Sequence, residues 1–166
     1  MYSLNVPVPG EVARLAEELR PSLYQFDSVR DRHTLVVKRF GDRDDNDRLE
    51  MQVRTVIAGS PAFEARIAEI DLFEHPARGD GPVVYLAVES PGLRDLHREL
   101  VAEFDCIEGI EGDDYVPHVT LARGGNIDVA RQLAERESTP ITWNVTQLQL
   151  WNAIYEESTA TISLPA

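Results

Sequence analysis

The sequence predicts an α+β fold built from two similar halves, because strand-like and helix-like segments alternate and their order repeats. Residues 4–10 and 86–92 resemble each other, since each is a run of alternating apolar residues that ends at Pro-Gly. In both halves a helix ending in Glu-Leu follows, then an irregular stretch, a strand with a histidine, a glycine turn and another helix. We therefore predict two βαβα halves, with additional strands from Phe63 and from Thr142, in a single domain over residues 1–166.

The elements of the first half follow from hydrophobic periodicity. Alternating apolar residues have the period of a strand, and apolar residues three and four apart have the period of a helix. Proline and glycine mark where these segments end. The predicted elements are a strand over residues 4–8, a helix from Glu11 to before Pro21, a strand over residues 34–40, and a helix from the acidic turn at residues 44–47 to Gly59.

The second half shows the same periodicities. A strand that begins at Phe63 shifts its apolar residues by one position after Ile67, which indicates a β-bulge. The elements predicted after it are a strand over residues 84–88, a helix over 93–104, a loop over 108–114, a strand over 115–123 and a short helix over 127–134. Two strand-like segments, residues 142–151 and 153–164, suggest a final hairpin around Asn152.

Composition limits the location and the partners of the protein. Of the 166 residues, 43% are apolar, which is enough for the core of one domain, and the single Cys106 excludes a disulfide or a Cys-based metal site within the chain. The first residues lack the features of a signal peptide, and no apolar run has the length of a transmembrane helix. We expect a cytoplasmic monomer. A net charge of −13 argues against binding to membranes or to bulk DNA, because both are anionic.

The basic residues are unusual in type and in placement. Lys38 is the only lysine among the 16 basic residues, so the acidic surface resembles that of proteins adapted to high salt. The segment from Arg30 to Phe40 carries four cations and one anion. Either this segment offers an anionic ligand a positively charged approach, or its charges are solvated side chains at the edge of a strand.

A histidine and a threonine stand out on the strand over residues 115–123. On this strand, His118 and Thr120 project from one face, while Val119 and Leu121 pack behind it. An imidazole can move a proton near neutral pH, and both side chains can hydrogen-bond an oxyanion. The pair is therefore a candidate site for chemistry on a charged oxygen.

An imperfect second copy of this pattern, Arg32-His33-Thr34-Leu35, lies in the other half of the chain. With both copies, the sequence resembles the 2H phosphoesterase superfamily, which includes the 2′-5′ RNA ligase-like RNA 2′,3′-cyclic phosphodiesterases. That superfamily carries one His-x-Thr/Ser-x motif in each of two lobes. The motif at His118 matches in full, with Pro117 before it and Arg123 after it.

The resemblance implies both a fold and an activity. The fold is two pseudo-symmetric lobes of antiparallel sheet plus helices around a central cleft. The activity is metal-independent hydrolysis of 2′,3′-cyclic phosphate ends of RNA or of small nucleotides, with no cofactor. The resemblance implies that the paired histidines, His33 and His118, act as acid and base, one on the attacking water and one on the leaving 3′ oxygen. The phosphate-binding residues would be Thr34, Thr120, Arg32 and Arg123.

The first motif allows two registers. If His33 is the motif histidine, the hydroxyl position falls on Leu35, which cannot hydrogen-bond. If Thr34 is the motif hydroxyl, the histidine position falls on Arg32, which binds phosphate but cannot transfer a proton at neutral pH. We favour His33, because alternation is weakest where a strand begins. The alternative function is a catalytically weak or inactive module that binds a nucleotide or a phosphorylated ligand, with Arg32 in place of the histidine.

Other histidines and aromatic residues receive weaker predictions. His97 is expected on the polar side of its helix, and His75 in a loop, so both are predicted to lie at the surface. Trp143, Trp151 and Tyr155 are candidates for stacking on a nucleobase, but aromatic residues on strands more often belong to the core.

Overall fold

The computed structural model describes residues 1–165 as nine β-strands and four α-helices. The elements, in chain order, are β1 (Tyr2–Val6), α1 (Gly10–Leu19), β2 (Ser28–Val29), β3 (Leu35–Gly41), α2 (Asn46–Ile57), β4 (Phe63–Phe73), β5 (Val83–Glu89), α3 (Pro91–Glu103), β6 (His118–Arg123), α4 (Ile127–Ala134), β7 (Ile141–Val145), β8 (Gln147–Asn152) and β9 (Glu157–Ser163). No helix in this part of the chain is both long and apolar enough to cross a bilayer.

All strand pairs of the sheet are antiparallel, and their order is β7-β4-β5-β6-β3-β1-β8-β9, with β2 paired to β6. The two halves of this order are equivalent. The units β1-α1-β3-α2 and β5-α3-β6-α4 have the same succession of elements, and their strands β3 and β6 meet in the middle of the sheet. The predicted α+β fold with two similar lobes is therefore confirmed.

The junction between the lobes is short. Strands β3 and β6 pair directly at Leu35 and Val119, both of which are fully buried. The two-residue strand β2 extends the junction, since Val29 pairs with Ala122 and the backbone N–H of Arg30 donates to the carbonyl of Leu121. Sequence periodicity did not reveal β2, because two residues carry no pattern. It matters for the site because it brings Arg30 beside β6.

Helix boundaries agree with simple capping chemistry. Helix α2 begins after Asp45, whose carboxylate accepts from the backbone N–H of Arg48 at 3.0 Å. Helix α3 begins after Ser90, whose hydroxyl accepts from the N–H of Leu93 and donates to the carbonyl of Glu64 on β4. Such side-chain oxygens satisfy N–H groups that have no partner within the helix. Ser90 thereby also ties the start of α3 to the sheet.

The predicted strand over residues 142–151 is wrong. The segment is broken at Thr146 into β7, which pairs with β4, and β8, which pairs with β1 and β9. One residue thus carries the chain from one lobe to the other. The residues that face inward change from odd positions before Thr146 to even positions after it, and this change of parity marks the break. The predicted hairpin does form between β8 and β9, with its turn over residues 153–156.

Candidate active site

The candidate site lies where β3 and β6 meet. Because Leu35 and Val37 point into the core, the alternating positions Arg32, Thr34 and Val36 face the opposite side. His118 and Thr120 face the same side from β6. These side chains line a small cavity of about 110 Å³, here called the inner pocket, whose lining residues are Arg30, Arg32, Thr34, Val36, Arg39, His118 and Thr120.

A second cavity adjoins the first. It has a volume of about 310 Å³ and is here called the outer pocket. It shares Val36, Arg39 and His118 with the inner pocket, so His118 contributes to the walls of both. The other walls of the outer pocket are formed by the loop from His75 to Arg78, by residues between Gly109 and Val116, and by Phe73, Val83 and Arg123.

The imidazole of His118 is held in one tautomer. Its Nδ1 lies 2.6 Å from the carbonyl oxygen of Val116. Because a carbonyl only accepts, Nδ1 carries the proton, and in the neutral ring Nε2 is the basic nitrogen. The rings of Phe73 and Tyr85 contact the imidazole edge-on, with centroids 5.3 and 5.2 Å away. These contacts fix the orientation of the ring.

The surroundings of His118 keep the imidazole neutral. Burial is the main cause that lowers its pKa below the ordinary value of 6.5, and the cations Arg39, Arg123 and Arg30 lower it further. The hydrogen bond to Val116 acts in the opposite direction. At neutral pH the ring is therefore a base that is ready to accept a proton.

Five arginines around the two pockets have no carboxylate partner within residues 1–165, although the protein has a net charge of −13. Ion pairs elsewhere engage other arginines, such as Arg20 with Asp31 and Arg131 with Glu74. The five without such a pair are Arg30, Arg32, Arg39, Arg78 and Arg123. Unpaired guanidinium groups that line a cavity favour an anionic occupant, because they present several donors in a fixed planar geometry.

His33 lies outside both pockets. The charges that act on its imidazole are those of Glu17, Arg20 and Asp31, which belong to the region around α1. Burial is the main cause that lowers the pKa of His33. The structure thus brings Arg32 and Thr34 to the inner pocket and places His33 away from it. This arrangement corresponds to the register in which Arg32 occupies the histidine position of the first motif.

Arg123 lies in the outer pocket rather than in the inner one. Its Nη1 donates to the backbone carbonyl of Arg78 at 3.0 Å. The inner pocket instead contains two arginines for which the sequence predicted no individual role, Arg30 and Arg39. The signal for them was the excess of cations over anions from residue 30 to residue 40.

Lys38 and His97 have structural positions that the sequence did not predict. Lys38 is buried, not part of a charged surface, and its Nζ donates to Glu111 at 2.6 Å. His97 was expected at the surface, but it is 1% exposed. Its Nδ1 donates to the carbonyl of Val37, and its Nε2 accepts from the N–H of Gly112. The expectation failed because the partners of His97 are distant in sequence.

The three aromatic candidates for base stacking differ in their surroundings. The guanidinium of Arg32 lies over the ring of Trp151, 4.7 Å from its centroid, so that this ring supports a pocket residue. Trp143 packs against the core, and Tyr155 is 73% exposed in the turn of the last hairpin. No three His, Cys, Asp or Glu side chains in the described part of the chain come together as a metal site would require.

Comparison with known proteins identifies the family. The model of the 2′-5′ RNA ligase superfamily matches residues 8–154, so the chain belongs to this superfamily, within the 2H phosphoesterases. The RNA 2′,3′-cyclic phosphodiesterase of Methanothermobacter thermautotrophicus is 33% identical over 124 residues. That match covers 72% of this chain and 66% of the relative, which is slightly less than two thirds of its length.

Solved structures share the fold. E. coli LigT complexed with 3′-AMP superposes with a TM-score of 0.68 at 17% identity, covering 99% of this chain and 98% of that one. LigT complexed with NADP+ gives 0.65 at 18% identity, with 99% and 97% covered. A protein of Thermus thermophilus gives 0.65 at 20% identity, with 98% and 97% covered. At these identities the likeness shows the fold alone.

Proposed function

We propose that this protein is a metal-independent phosphoesterase that binds a nucleoside 2′,3′-cyclic phosphate in the inner pocket and opens it with His118 as the single proton-transfer group. The observation that carries the proposal is the neutral imidazole of His118 among unpaired arginines and two threonines. Family membership and the cyclic phosphodiesterase relative support the same class of reaction.

In the proposed reaction, His118 Nε2 takes a proton from a water molecule, and the water oxygen forms a bond to phosphorus. The bond from phosphorus to one of the two ribose oxygens breaks, and the product is a phosphomonoester. Arg30, Arg32 and Arg39 stabilise the negative charge that builds up on the phosphoryl oxygens, while Thr34 and Thr120 donate hydrogen bonds to them. Stabilisation of this kind needs donors that are already in place, as these side chains are.

Arg32 limits the rate of this reaction. In a site with two imidazoles, the second one protonates the leaving oxygen. A guanidinium stays protonated at neutral pH and cannot act as this acid, although its charge stabilises the oxygen as it leaves. The leaving oxygen must then take its proton from solvent. We therefore expect turnover slower than that of a site with two histidines.

A second candidate function is binding without turnover. Arg32 at the histidine position favours it, because this residue strengthens anion binding and removes an acid. In that case the protein would bind a nucleotide or another phosphorylated ligand, and His118 would serve as a hydrogen-bonding group. The two candidates share the inner pocket and differ in whether the bound cyclic phosphate is opened.

The deciding experiment measures hydrolysis of nucleoside 2′,3′-cyclic phosphates in the presence of EDTA, together with ligand affinity. We expect His118→Ala to lower kcat by a factor of about 10² to 10⁴, the usual contribution of one acid–base group. His33→Ala is the matched control, since it removes an imidazole outside the pocket, and we expect nearly normal kinetics. Arg32→Ala should weaken binding and also lower kcat, because in the proposed reaction its guanidinium stabilises the leaving oxygen.

Each other outcome has a definite meaning. If the wild type binds the cyclic phosphate but does not open it, the protein is a binding module. A loss of turnover in His33→Ala as large as in His118→Ala would restore the paired-histidine mechanism and contradict the single-histidine proposal. Loss of activity in EDTA would contradict metal independence.

A further inference from the structure

The carbonyl oxygen of Val116, which fixes the tautomer of His118, is not held by its own residue's side chain. That side chain is exposed, so burial does little to restrain it. The preceding residue, Tyr115, is only 8% exposed, and its carbonyl accepts from Nη1 of Arg94 on α3 at 3.1 Å. The position of the Val116 oxygen therefore depends on how Tyr115 is held.

Three contacts hold Tyr115. Its hydroxyl donates to the carbonyl of Val36 on β3 at 2.8 Å. Its backbone N–H donates to the carbonyl of Gly112 at 3.2 Å and closes a tight turn. Its ring lies flat against the imidazole of His97, with the ring centroids 3.8 Å apart and the planes 12° from parallel. The turn at Gly112 and the face of His97 together set the position of Tyr115.

His97 lies on α3, outside both pockets, and both of its ring nitrogens are bound. Nδ1 lies 2.7 Å from the carbonyl oxygen of Val37, and Nε2 lies 3.0 Å from the backbone nitrogen of Gly112. Because a carbonyl only accepts and a backbone N–H only donates, the ring is neutral and carries its proton on Nδ1. Gly112 has a φ of +70°, in the left-handed region that favours glycine, and this backbone turns the chain towards Tyr115.

Burial keeps the imidazole of His97 neutral, since it is the main cause that lowers the pKa of this ring. The charges of Lys38 and Arg94 lower the pKa further. The hydrogen bond to Val37 and the charge of Glu111 act in the opposite direction. A proton on Nε2 would face the backbone N–H that this nitrogen accepts from, so charging the ring would break that bond. With both nitrogens bound, His97 can affect the reaction only through the residues that it holds.

We propose that His97 is a positioning residue for His118. Its bond to Gly112 and its stacking on Tyr115 fix the segment that leads into β6. The Val116 carbonyl in this segment then accepts the Nδ1 proton of His118, which leaves Nε2 as the basic nitrogen. This inference rests on the proposed function, which assigns the proton transfer to that nitrogen.

Two replacements of His97 separate its two hydrogen bonds. In His97→Gln, the amide oxygen reaches the place of Nε2 and can still accept from Gly112. In His97→Asn, the shorter amide reaches only the place of Nδ1, so the bond to Val37 is kept and the bond to Gly112 is lost. The control for a general loss of stability is Val53→Ala, at a fully buried position on α2 that lines neither pocket.

The first readout is the tautomer of His118, measured without ligand by proton–nitrogen NMR correlation of the histidine side chains at a pH where the ring is neutral. We expect the Nδ1–H form in the wild type, in His97→Gln and in Val53→Ala. In His97→Asn we expect a mixture with the Nε2–H form, because the Val116 carbonyl is no longer held in place.

The second readout is turnover of a nucleoside 2′,3′-cyclic phosphate. We expect kcat of His97→Asn to fall about tenfold with KM changed by about twofold or less, because misplacing a catalytic group by about 1 Å can cost up to about 10²-fold in rate. His97→Gln should stay within about threefold of the wild type, because it keeps the bond to Gly112.

A milder variant keeps the test decisive if His97→Asn does not fold. Arg94→Gln removes the exposed side chain that holds the Tyr115 carbonyl, and we expect a smaller shift of the His118 tautomer in the same direction. Its control is Arg98→Gln, one turn further along α3, where the side chain is exposed and pairs with Asp95. Urea unfolding establishes that each variant is folded before the comparison.

The outcomes separate this inference from the proposed function. The inference is overturned, and the proposed function left intact, if His118 keeps the pure Nδ1–H form in His97→Asn, if the Asn and Gln variants behave alike, or if Val53→Ala changes as much. An Arg94→Gln protein that matches Arg98→Gln has the same meaning where His97→Asn does not fold. If the wild type does not hydrolyse the cyclic phosphate, the proposed function is overturned, and the tautomer of His118 still decides whether His97 positions it.

Discussion

His118 combines the properties that a general base needs at neutral pH. The hydrogen bond to Val116 assigns the proton to Nδ1, and the two aromatic rings restrict the imidazole to one orientation. Burial and three nearby guanidinium groups lower its pKa, so the ring is neutral at neutral pH. When it accepts a proton, the same guanidinium groups oppose the new charge. A bound phosphate, which is an anion, offsets that opposition.

The lowered pKa of His118 predicts the dependence of the rate on pH. The neutral ring is the active form, so kcat/KM should rise with pH through a single apparent pKa below 6.5 and then stay level towards pH 8. The measurement is kcat/KM for a cyclic nucleotide from about pH 4.5 to about pH 9, a range that spans the titration of an imidazole. A bell-shaped profile with a second fall near neutrality would require a second titrating group and would contradict the single-histidine mechanism.

The position of His33 shows how much of the first motif could be predicted from the sequence. The apolar residues Leu35 and Val37 have the parity of a strand, and that parity extends backwards to put Thr34 and Arg32 on the opposite face. The prediction of His33 as the motif histidine rests on the weak alternation at the start of a strand predicted from Thr34, whereas the strand itself begins at Leu35. The motif at His118 was free of this conflict, and its side chains face the pocket together.

At the scale of elements, a buried ion pair joins β3 to the segment that forms one wall of the outer pocket. Lys38 Nζ donates to Glu111, to the carbonyl of Asp105 and to that of Arg39, all within 2.8 Å. The other carboxylate oxygen of Glu111 accepts from the backbone N–H of Arg39. His97 adds a second link between β3 and this segment through Val37 and Gly112. These contacts hold the pocket wall in register with Arg39.

Replacing Lys38 tests this anchoring. Lys38→Met leaves the Glu111 carboxylate buried without its cation, and we expect the free energy of unfolding to fall by about 3–5 kcal/mol. The measurement is urea unfolding. Arg54→Met is the control, because it removes one cation from an exposed pair with Glu50 and should cost about 1 kcal/mol or less. A loss at Lys38 no larger than the control would show that the pair does not hold the wall in place.

Strands and helices were predictable because their patterns repeat over a few residues. The four helices and most strands lie within a few residues of their predicted bounds, and the slip after Ile67 is a register shift in β4. The links between elements were not predictable. Lys38 and Glu111 are 73 residues apart, and His97 and Val37 are 60 apart, so no local pattern connects them. A polar residue in a strand or helix has the same local pattern whether its partner is water or a distant side chain.

At the scale of the whole molecule, the unpaired positive charge around the two pockets contrasts with the net negative charge of the chain. The net charge is −13, and in the part of the chain that the structure describes carboxylates pair with five of the ten arginines that lie away from the two pockets: Arg20, Arg54, Arg66, Arg98 and Arg131. The arginines around the pockets are left without carboxylates within residues 1–165. An acidic surface repels bulk nucleic acid, whereas the local positive charge attracts a small anion or the end of a chain. Under the proposed function, this distribution of charge would favour a terminal phosphate over a polymer backbone.

Salt should therefore act in opposite directions on stability and on binding. Repulsion among the acidic side chains destabilises the folded state, and about 1 M KCl shortens the Debye length to about 3 Å and suppresses that repulsion. We expect the melting temperature to rise between low salt and about 1 M KCl by about 2–4 °C for each kcal/mol gained. Affinity for a cyclic nucleotide should fall over the same range, because the attraction of the unpaired arginines is screened.

Thermal unfolding and titration calorimetry on one KCl series measure both effects. Chloride is chosen because phosphate or sulfate would compete for the pocket. A melting temperature that is unchanged or lower in KCl would contradict adaptation to high salt, and an affinity that does not fall would contradict binding through the arginines.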